Sequence, residues 1–298
     1  MYEESPRLRD TLQHFTQENW YAFAQSTKAG TIDILFDLIR YGMIEEIVPA
    51  AWKPQILTDE ETLTMLTEHP QSFARFGDGE FAILQGESIP FQHADDRLAA
   101  ILKAALASDG TSCAIGLSDY YHLPQNANQY AWHWFVQSTM PLRAFVDACA
   151  NRNHPYISAN FTVPYISMKA VDVAAMDQRY ERILNLFTGR DVVIFAGDRV
   201  FTKLEYNVFE RARSIEVVQC PSKHAFDRYD DILRVAREYP ETTTLCFILG
   251  PTATAAAYEL SLEGRLAWDI GHMAKDYDAY RRRLPRTGDA TIDFFRPD

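Results

Sequence analysis

From Ser72 onward, short apolar runs rich in β-branched and aromatic residues alternate with longer segments in which apolar residues recur every three or four positions. The short runs have the pattern of buried strands, and the longer segments have that of helices with one apolar face. Such alternation is typical of α/β folds, in which helices cover a largely parallel sheet. The sequence therefore predicts a Rossmann-like, doubly wound, mainly parallel sheet.

The same pattern gives the approximate bounds of the elements. Seven strands are predicted, at residues 72–76, 112–117, 156–161, 191–196, 215–219, 244–249 and 266–270. Helices are predicted between them at residues 96–107, 168–187, 225–238 and 252–262. Ligands of doubly wound sheets bind beyond the carboxyl ends of the strands, so the residues that follow each strand are the candidates for a functional site.

The first 54 residues have no strand pattern and form a separate predicted unit. An apolar stripe with helical spacing runs through Ile32, Leu35, Phe36, Ile39, Met43, Ile44 and Ile47. The opposite face is acidic rather than rich in Lys and Arg, which favours packing on the main domain or on a second copy of the chain over binding to a membrane surface. We predict a helical extension over residues 1–54 and a main domain over residues 55–298. The helices of the extension could join copies of the chain in a homo-oligomer.

Composition disfavours several classes of protein. Asp and Glu number 41 against 29 Lys and Arg, a net charge of −12, and an acidic surface repels nucleic acid. The four cysteines lie far apart without a Cys-x-x-Cys pair, which indicates a reducing cytoplasm rather than a disulfide framework or a zinc ribbon. The chain lacks the pattern of a secretory signal and any run of the ~20 apolar residues that a spanning helix needs. We expect a cytoplasmic protein with at most peripheral membrane association.

The first candidate site follows the predicted strand 72–76. Gly77 and Gly79 permit a tight turn, and Asp78 and Glu80 are carboxylates two residues apart. Mg²⁺ and Mn²⁺ prefer oxygen ligands and fill their remaining positions with water or substrate phosphates, so two carboxylates suffice where the substrate is a diphosphate. The alternative is an acidic turn in which Asp78 caps a helix that begins near Phe81.

The second candidate site is the turn from the predicted strand 244–249 into an alanine-rich helix. The start of a helix offers free N–H groups and the positive end of the helix dipole, which together bind phosphate. Hydroxyl groups can add further donors. The turn consists of Gly250, Pro251, Thr252, Ala253 and Thr254. The alternative needs no ligand: Thr252 caps the helix after a Gly-Pro turn.

Three further segments also follow predicted strands. After residue 270 come His272, Asp276 and Asp278, and a carboxylate there can act as general base on an acceptor hydroxyl. Lys223 can offset phosphate charge, and Asn160 can orient a hydroxyl group. The alternatives are a structural His272 and a solvated helix start at Asp276 and Asp278. The position of all these segments at strand ends favours one shared cleft.

The hexapeptide Arg75-Phe76-Gly77-Asp78-Gly79-Glu80 resembles the signature of bacterial glycosyltransferases of the GT-D fold, formerly domain of unknown function 1792, which carry an Asp-x-Glu metal motif. Other blocks of the chain resemble the family in the same order, and the resemblance extends over roughly residues 58–280. These blocks are Pro221-Ser222-Lys223, Leu249-Gly250-Pro251-Thr252-Ala253-Thr254 and Asp269-Ile270-Gly271-His272.

The resemblance implies an enzyme that moves a hexose from a nucleotide diphosphate sugar, typically a UDP-sugar, to a glycan or glycosylated acceptor in surface-polysaccharide or glycoprotein glycan assembly. It places Mn²⁺ or Mg²⁺ on Asp78 and Glu80. The donor diphosphate would meet residues 250–254, and the donor site would include the residues Arg75, Gly77, Asn160 and Lys223. Asp276 is the first candidate for the base, Asp278 the second, and His272 a further contact.

The chain departs from the family in three places. Val163 stands where an arginine often precedes the proline, residues 197–203 are not glycine-rich, and Asp276 and Asp278 replace glutamates. We expect these departures to alter donor or acceptor preference and to bear on which carboxylate is the base. The alternative functions are a metal-dependent nucleotide-sugar hydrolase or phosphotransferase and a non-catalytic nucleotide-binding protein.

Overall fold

A parallel sheet of seven strands organises the part of the chain that the computed structural model describes, which is residues 52–122, 126–198 and 200–295. The strands are β1 (Ser72–Phe76), β2 (Cys113–Leu117), β3 (Ile157–Ser158), β4 (Asp191–Gly197), β5 (Ser214–Cys220), β6 (Thr244–Ile248) and β7 (Ala267–Asp269). Their order across the sheet is β3-β2-β1-β7-β6-β4-β5. Every pairing is parallel, which confirms the predicted fold class.

Helices cover both faces of this sheet. They are α1 (Asp59–Glu68), α2 (Asp78–Leu84), α3 (Asp96–Leu106), α4 (Gln129–Cys149), α5 (Val173–Leu186), α6 (Tyr229–Glu238), α7 (Pro251–Leu262), α8 (Met273–Arg281) and α9 (Gly288–Phe295). Buried residues of α2, α3, α4, α6 and α7 belong to one hydrophobic core, and those of α1, α5 and α8 to the other. The central strands are buried on both faces, as their continuous apolar runs predict.

Two predicted elements differ from the structure by three residues or more at one end, apart from the helix predicted at 225–238, whose first turn is a 3₁₀ helix. The strand predicted at 156–161 is only two residues long, because the Ser158 hydroxyl accepts from the Asn160 N–H and turns the chain into a 3₁₀ helix, Ala159–Thr162. The helix predicted from residue 168 begins at Val173, where the Asp172 carboxylate caps the N–H groups of Ala174 and Ala175. The extension predicted at 1–54 lies outside the described residues, apart from 52–54.

The parallel arrangement brings the carboxyl ends of all seven strands to one edge of the sheet, which we call the carboxyl edge. The residues directly after β1, β6 and β7, three adjacent strands near the middle of the sheet, are 77–80, 249–254 and 270–272. The segments after β2 and β3 lie to one side of them, and that after β5 lies at the far side. Among the described helices, none combines the length and apolar character needed to cross a membrane.

Candidate active site

An ion pair between a partly buried arginine and a buried aspartate joins the ends of β1 and β7. The Arg75 Nη2 lies 3.0 Å from the Asp269 Oδ1, and the Arg75 Nε donates to the Asp269 carbonyl oxygen at 2.7 Å. The Arg75 backbone N–H donates to the other carboxylate oxygen of Asp269 at 3.1 Å. Two residues 194 positions apart in the chain therefore hold each other in a fixed geometry at the centre of the carboxyl edge.

Gly271 gives this pair the space that it needs. A Cβ atom at Gly271 would lie 1.8 Å from the Arg75 Nη2, so any side chain there would displace the guanidinium group. Gly271 also has a φ of +46°, in the region that favours glycine. The Asp-Ile-Gly-His block thus supplies both the carboxylate that pairs with Arg75 and the gap into which the guanidinium fits.

Thr254 connects the pair to Glu80. The Thr254 hydroxyl is fully buried and lies 3.0 Å from the Arg75 carbonyl oxygen, 3.2 Å from the Asp269 Oδ2 and 3.3 Å from the Glu80 Oε1. The other Glu80 oxygen accepts from the Gly77 N–H at 2.7 Å and so caps the start of α2. The Thr254 hydroxyl therefore lies where β1, α2, α7 and β7 meet, and it can donate its one proton to any of these three oxygen atoms.

Asp78 and Glu80 lie in different environments, because residues two apart on a helix point in different directions. Glu80 is buried, and its pKa is raised to about 7 by burial first and then by the negative charges of Asp269 and Asp78. Asp78 retains an exposed surface, but the surrounding protein removes part of its hydration and raises the pKa of its carboxyl. The site thus gathers three carboxylates beside one arginine, an excess of negative charge.

This donor set fits a hard divalent cation. Its ligating atoms are carboxylate oxygens, and a cation would relieve the mutual repulsion that raises the pKa of Glu80. Over the described ranges, no group of three or more His, Cys, Asp and Glu side chains is arranged to hold a metal ion. A cation at Asp78 and Glu80 therefore needs oxygen atoms from water or substrate, as the sequence predicts for a diphosphate substrate.

The start of α7 lies against the start of α2. Pro251 is the first residue of α7, and its ring is 3.5 Å from the position of a Cβ atom at Gly79. Gly250 precedes it as the N-cap residue with φ +56° and ψ −138°, a conformation essentially restricted to glycine. Two helix N-termini therefore converge near Asp78, and the positive ends of their dipoles favour a bound anion.

Residues 89–94 form a strap across this junction. The Phe91 ring packs on the side of Gly250 where a Cβ atom would lie, 2.6 Å from the Phe91 Cε2, while Gly250 itself remains exposed. The buried Gln92 side chain accepts from the Thr252 hydroxyl at 3.3 Å and from the Phe226 N–H at 3.2 Å.

The predicted alternative, in which Thr252 caps the helix, is wrong because Gly250 is the N-cap residue and the Thr252 hydroxyl points to Gln92. The hydroxyls of Thr252 and Thr254 thus bond to protein, and Ala253 is buried between them.

Lys223 follows β5 and is exposed at the far side of the carboxyl edge. It lines an open groove of about 950 Å³ between the end of β5 and α6, together with Asp198, Arg228 and Arg234. The neighbouring His224 binds the strap: its backbone N–H donates to the Phe91 carbonyl oxygen at 2.7 Å. Lys223 is therefore linked through the strap to the start of α7.

Asn160 lies on the opposite side, after β3. Its Oδ1 accepts from the Ser118 hydroxyl at 3.1 Å, which ties it to the end of β2. The carbonyl oxygen of the preceding Ala159 lies 3.5 Å from the Arg75 Nη1. Asn160 is exposed and belongs to the same edge as Arg75 and Asp78.

Asp276 and Asp278 are not at a solvated helix start, because both are buried within α8. The Asp276 carboxylate accepts from the N–H groups of Tyr165 and Ile166 and from the Tyr180 hydroxyl, at 2.9, 3.0 and 2.6 Å. The Asp278 carboxylate accepts from the N–H groups of Glu205 and Tyr206 and lies 3.2 Å from the Arg282 Nη1. These contacts anchor two loops, and the role of either residue as a base stays a prediction.

His272 caps the start of α8 without a side-chain hydrogen bond to the cap, and its ring packs near Phe294 and Phe295. The structure thus joins Arg75 and Glu80 to Thr254 directly and Gly77 to Glu80. Asp78 lies beside them, and Lys223 lies apart, after the edge strand β5. Sequence reasoning did not select Asp269, Phe91 or Gln92 as site residues. The carboxyl-end rule that selected His272 also points to Asp269, which ends β7.

The sequence of this chain is similar to those of known proteins. The model of a family with the glycosyltransferase GT-D fold matches residues 73–289. A Streptococcus gordonii protein with the name probable glycosyl transferase Gly is 29% identical over 228 residues, which are 76% of this chain and 33% of that protein. The glycosyltransferase GlyD of Streptococcus pneumoniae serotype 4 is 27% identical over 229 residues, which are 75% of this chain and 27% of that protein. The chain thus spans about a third or less of these relatives.

Solved structures give the same result for the fold. A structure of domain of unknown function 1792, reported to have a distinct glycosyltransferase fold, superimposes with a TM-score of 0.73 at 28% identity, covering 84% of this chain and 87% of that chain. A structure reported as a new glycosyltransferase from Streptococcus sanguinis has a TM-score of 0.70 at 26% identity, covering 79% and 87%.

Proposed function

Because the chain belongs to the family of glycosyltransferases with the GT-D fold, we propose that it transfers a hexose from a nucleotide diphosphate sugar, in the first instance a UDP-sugar, to a glycan or glycosylated acceptor. The observation that carries the proposal is the gathering of Asp78, Glu80 and Asp269 where the N-termini of α2 and α7 converge. Carboxylates and helix N-termini bind opposite charges, so together they suit a cation paired with a diphosphate.

Asp78 and Glu80 would hold Mn²⁺ or Mg²⁺. When bound, the cation would neutralise negative charge on the departing diphosphate. Asp78 has the exposed carboxylate and is the ligand that can reach a substrate, whereas Glu80 is held by Gly77 and Thr254. The Arg75–Asp269 pair supports Asp78 and Glu80, and because its two side chains bond to each other they do not bind the substrate.

The donor diphosphate would lie over the start of α7, where Gly250 is exposed and lets a ligand approach the backbone closely. Asn160 follows β3 and Lys223 follows β5, the two outermost strands of the sheet, so they lie on either side of this position along the carboxyl edge. They would bind the remaining parts of the donor or acceptor. The wider assignment to surface-polysaccharide or glycoprotein glycan assembly in the cytoplasm, with peripheral membrane association and a homo-oligomer formed through residues 1–54, belongs to the same proposal.

The test is the fate of a labelled sugar. The protein is incubated with UDP-hexoses labelled in the sugar, Mn²⁺ and a panel of p-nitrophenyl glycosides, and the labelled products are separated and weighed by mass spectrometry. We expect labelled disaccharide glycosides, and we expect Asp78→Asn to lower their formation at least ~100-fold, as the loss of a charged group that stabilises a transition state does. Label that goes only to water at an equal rate would indicate a hydrolase, and unchanged activity of Asp78→Asn would contradict the metal site.

A further inference from the structure

A hydrogen-bonded Asp–His pair, Asp119 and His122, lies beyond the carboxyl end of β2. The His122 Nδ1 is 2.8 Å from the Asp119 Oδ2. The other oxygen of Asp119 accepts from the backbone N–H groups of Tyr121 and His122, at 2.9 and 3.1 Å. The carboxylate is therefore held by the backbone of its own turn, and it in turn holds the imidazole.

The pairing determines which nitrogen of His122 carries the proton. A carboxylate only accepts hydrogen bonds, so the proton between the two groups belongs to Nδ1 when the imidazole is neutral. The Nε2 atom of this tautomer has a free lone pair and can accept a proton, while the carboxylate stabilises the imidazolium that forms. The His122 and Asp119 side chains are 74% and 43% exposed, so a substrate can reach them.

The pair follows the strand next to the one that the candidate metal ligands follow. β2 is the neighbour of β1, with Leu117 in register with Phe76, and Asp119 and Asp78 each lie two residues beyond these partners. Tyr120, the residue after Asp119, is buried, which raises its pKa, and the charge of Asp78 raises it further because the two groups are close. The hydrogen bond from Ser118 to Asn160 fixes the same turn to the end of β3.

The carboxylates that the sequence offers as bases are engaged elsewhere. Asp276 is fully buried and accepts three hydrogen bonds, and Asp278 accepts two and pairs with Arg282. Asp269 is committed to Arg75. His122 differs from all three because it combines exposure at the carboxyl edge with a fixed partner that sets its tautomer.

We propose that His122 is the general base of the transfer reaction and that Asp119 is its positioning residue. This inference rests on the proposed function. The acceptor hydroxyl gives its proton to the His122 Nε2 while its oxygen forms a bond to the anomeric carbon of the donor. The bond from that carbon to the diphosphate oxygen breaks, and its electron pair leaves with the nucleoside diphosphate.

The experiment compares His122→Ala and Asp119→Asn with His69→Gln, a matched control at an exposed histidine before the amino end of β1. Two quantities are measured for each variant: the affinity for a UDP-hexose in Mn²⁺ by calorimetry, and kcat for transfer of labelled hexose to a p-nitrophenyl glycoside or to water. We expect His122→Ala to keep donor affinity within about twofold and to lose kcat ~10²–10⁴-fold, the usual contribution of a general base. Asp119→Asn should lower kcat ~10-fold or more with the KM for donor unchanged.

Added imidazole provides a second readout that a structural role would not change. It should restore part of the kcat of His122→Ala and leave His69→Gln unaffected. A kcat of His122→Ala within twofold of the wild type would show that the pair is a surface turn and overturn the inference, with the proposed function intact. A wild-type protein that binds no nucleotide sugar would overturn the proposed function and the inference together.

Discussion

At the scale of single residues, Gly271 offers a direct test of the Arg75–Asp269 pair. In Gly271→Ala the new methyl group would lie 1.8 Å from the Arg75 Nη2 and force the guanidinium away from Asp269. We expect a loss of ~3 kcal/mol or more in the free energy of unfolding, because a buried pair is disrupted and a positive φ becomes strained.

Gly264→Ala is the matched control for this change. Gly264 also has a positive φ, +78°, but nothing lies within 4 Å of the position of its Cβ. Gly264→Ala should therefore cost only about 1 kcal/mol from backbone strain. Urea denaturation of both variants provides the measurement, and equal losses would mean that the close approach of Arg75 to Gly271 contributes nothing to stability.

The buried carboxyl of Asp276 should make the free energy of unfolding depend on pH. Burial raises its pKa from 3.8 to about 6 in the folded state, so the folded protein binds a proton that the unfolded protein releases. Asp276 therefore stabilises the folded state most at low pH, and this stability is lost as pH rises from about 4 to about 6. A shift of this size corresponds to ~3 kcal/mol.

The measurement is the difference in unfolding free energy between the wild type and Asp276→Asn at several pH values. The difference removes the titration of other groups, and we expect the wild type to lose ~2–3 kcal/mol relative to the variant between pH 4 and pH 7. A difference that stays constant over this range would show that Asp276 does not titrate differently in the folded and unfolded states.

The sequence predicted where several site residues lie, but not which residues they contact or how deeply they are buried. The positions of Asp78, Glu80 and Gly250 at strand ends followed from the strand pattern alone. The contact of Arg75 with Asp269 could not be predicted, because it depends on the pairing of β1 with β7 across 194 residues. The burial of Asp276 was missed because its acidic stretch has the composition of a solvated helix, and its three donors come from distant parts of the chain.

At the scale of elements, the strap of residues 89–94 connects the start of α7 with the turn after β5. Its central contact is Gln92, which is 1% exposed and whose side-chain oxygen accepts from the Thr252 hydroxyl and the Phe226 N–H. Gln92→Leu keeps a similar volume but leaves both donors buried without a partner. We expect a loss of ~2–3 kcal/mol in unfolding free energy and faster hydrogen exchange at the N–H of Phe226.

Gln85→Leu is the control for the strap prediction, since Gln85 ends α2 just before the strap and is exposed. A surface change of this kind should stay within ~0.5 kcal/mol of the wild type. If the two leucine variants lose the same stability, or if exchange at Phe226 is unchanged in Gln92→Leu, the strap does not depend on Gln92.

The sequence predicted the strands of the sheet more accurately than it predicted individual contacts. The strands at the centre of the sheet were predicted within a residue or two, because burial on both faces requires uninterrupted apolar runs. β3 was overestimated because a side-chain hydrogen bond of Ser158 ends it, and local polar bonds do not appear in an apolar pattern. The strap was not predicted, since its contacts join three separate segments of the chain.

At the scale of the whole molecule, the GT-D family was predicted from ordered motifs, and the match to residues 73–289 confirms it. For a member of this family, we expect the cation and the sugar donor to increase each other's affinity for the protein. With only Asp78 and Glu80 as candidate ligands, a cation should bind weakly alone and more tightly once a diphosphate supplies further oxygens. Linkage requires that the cation tighten donor binding by the same factor.

This coupling predicts how ligands stabilise the whole fold. Mn²⁺ alone and UDP alone should each raise the unfolding free energy only slightly, whereas both together should raise it by ~1–3 kcal/mol more than the sum of the two, which is the usual size of such coupling. Asp78→Asn should abolish the surplus, because it removes the exposed ligand, while Glu241→Gln, at an exposed carboxylate before the amino end of β6, should retain it. Denaturant titrations in the four ligand conditions measure the surplus directly. Strictly additive effects in the wild type would mean that cation and diphosphate occupy independent sites, and the shared site at Asp78 and Glu80 would then have to be abandoned.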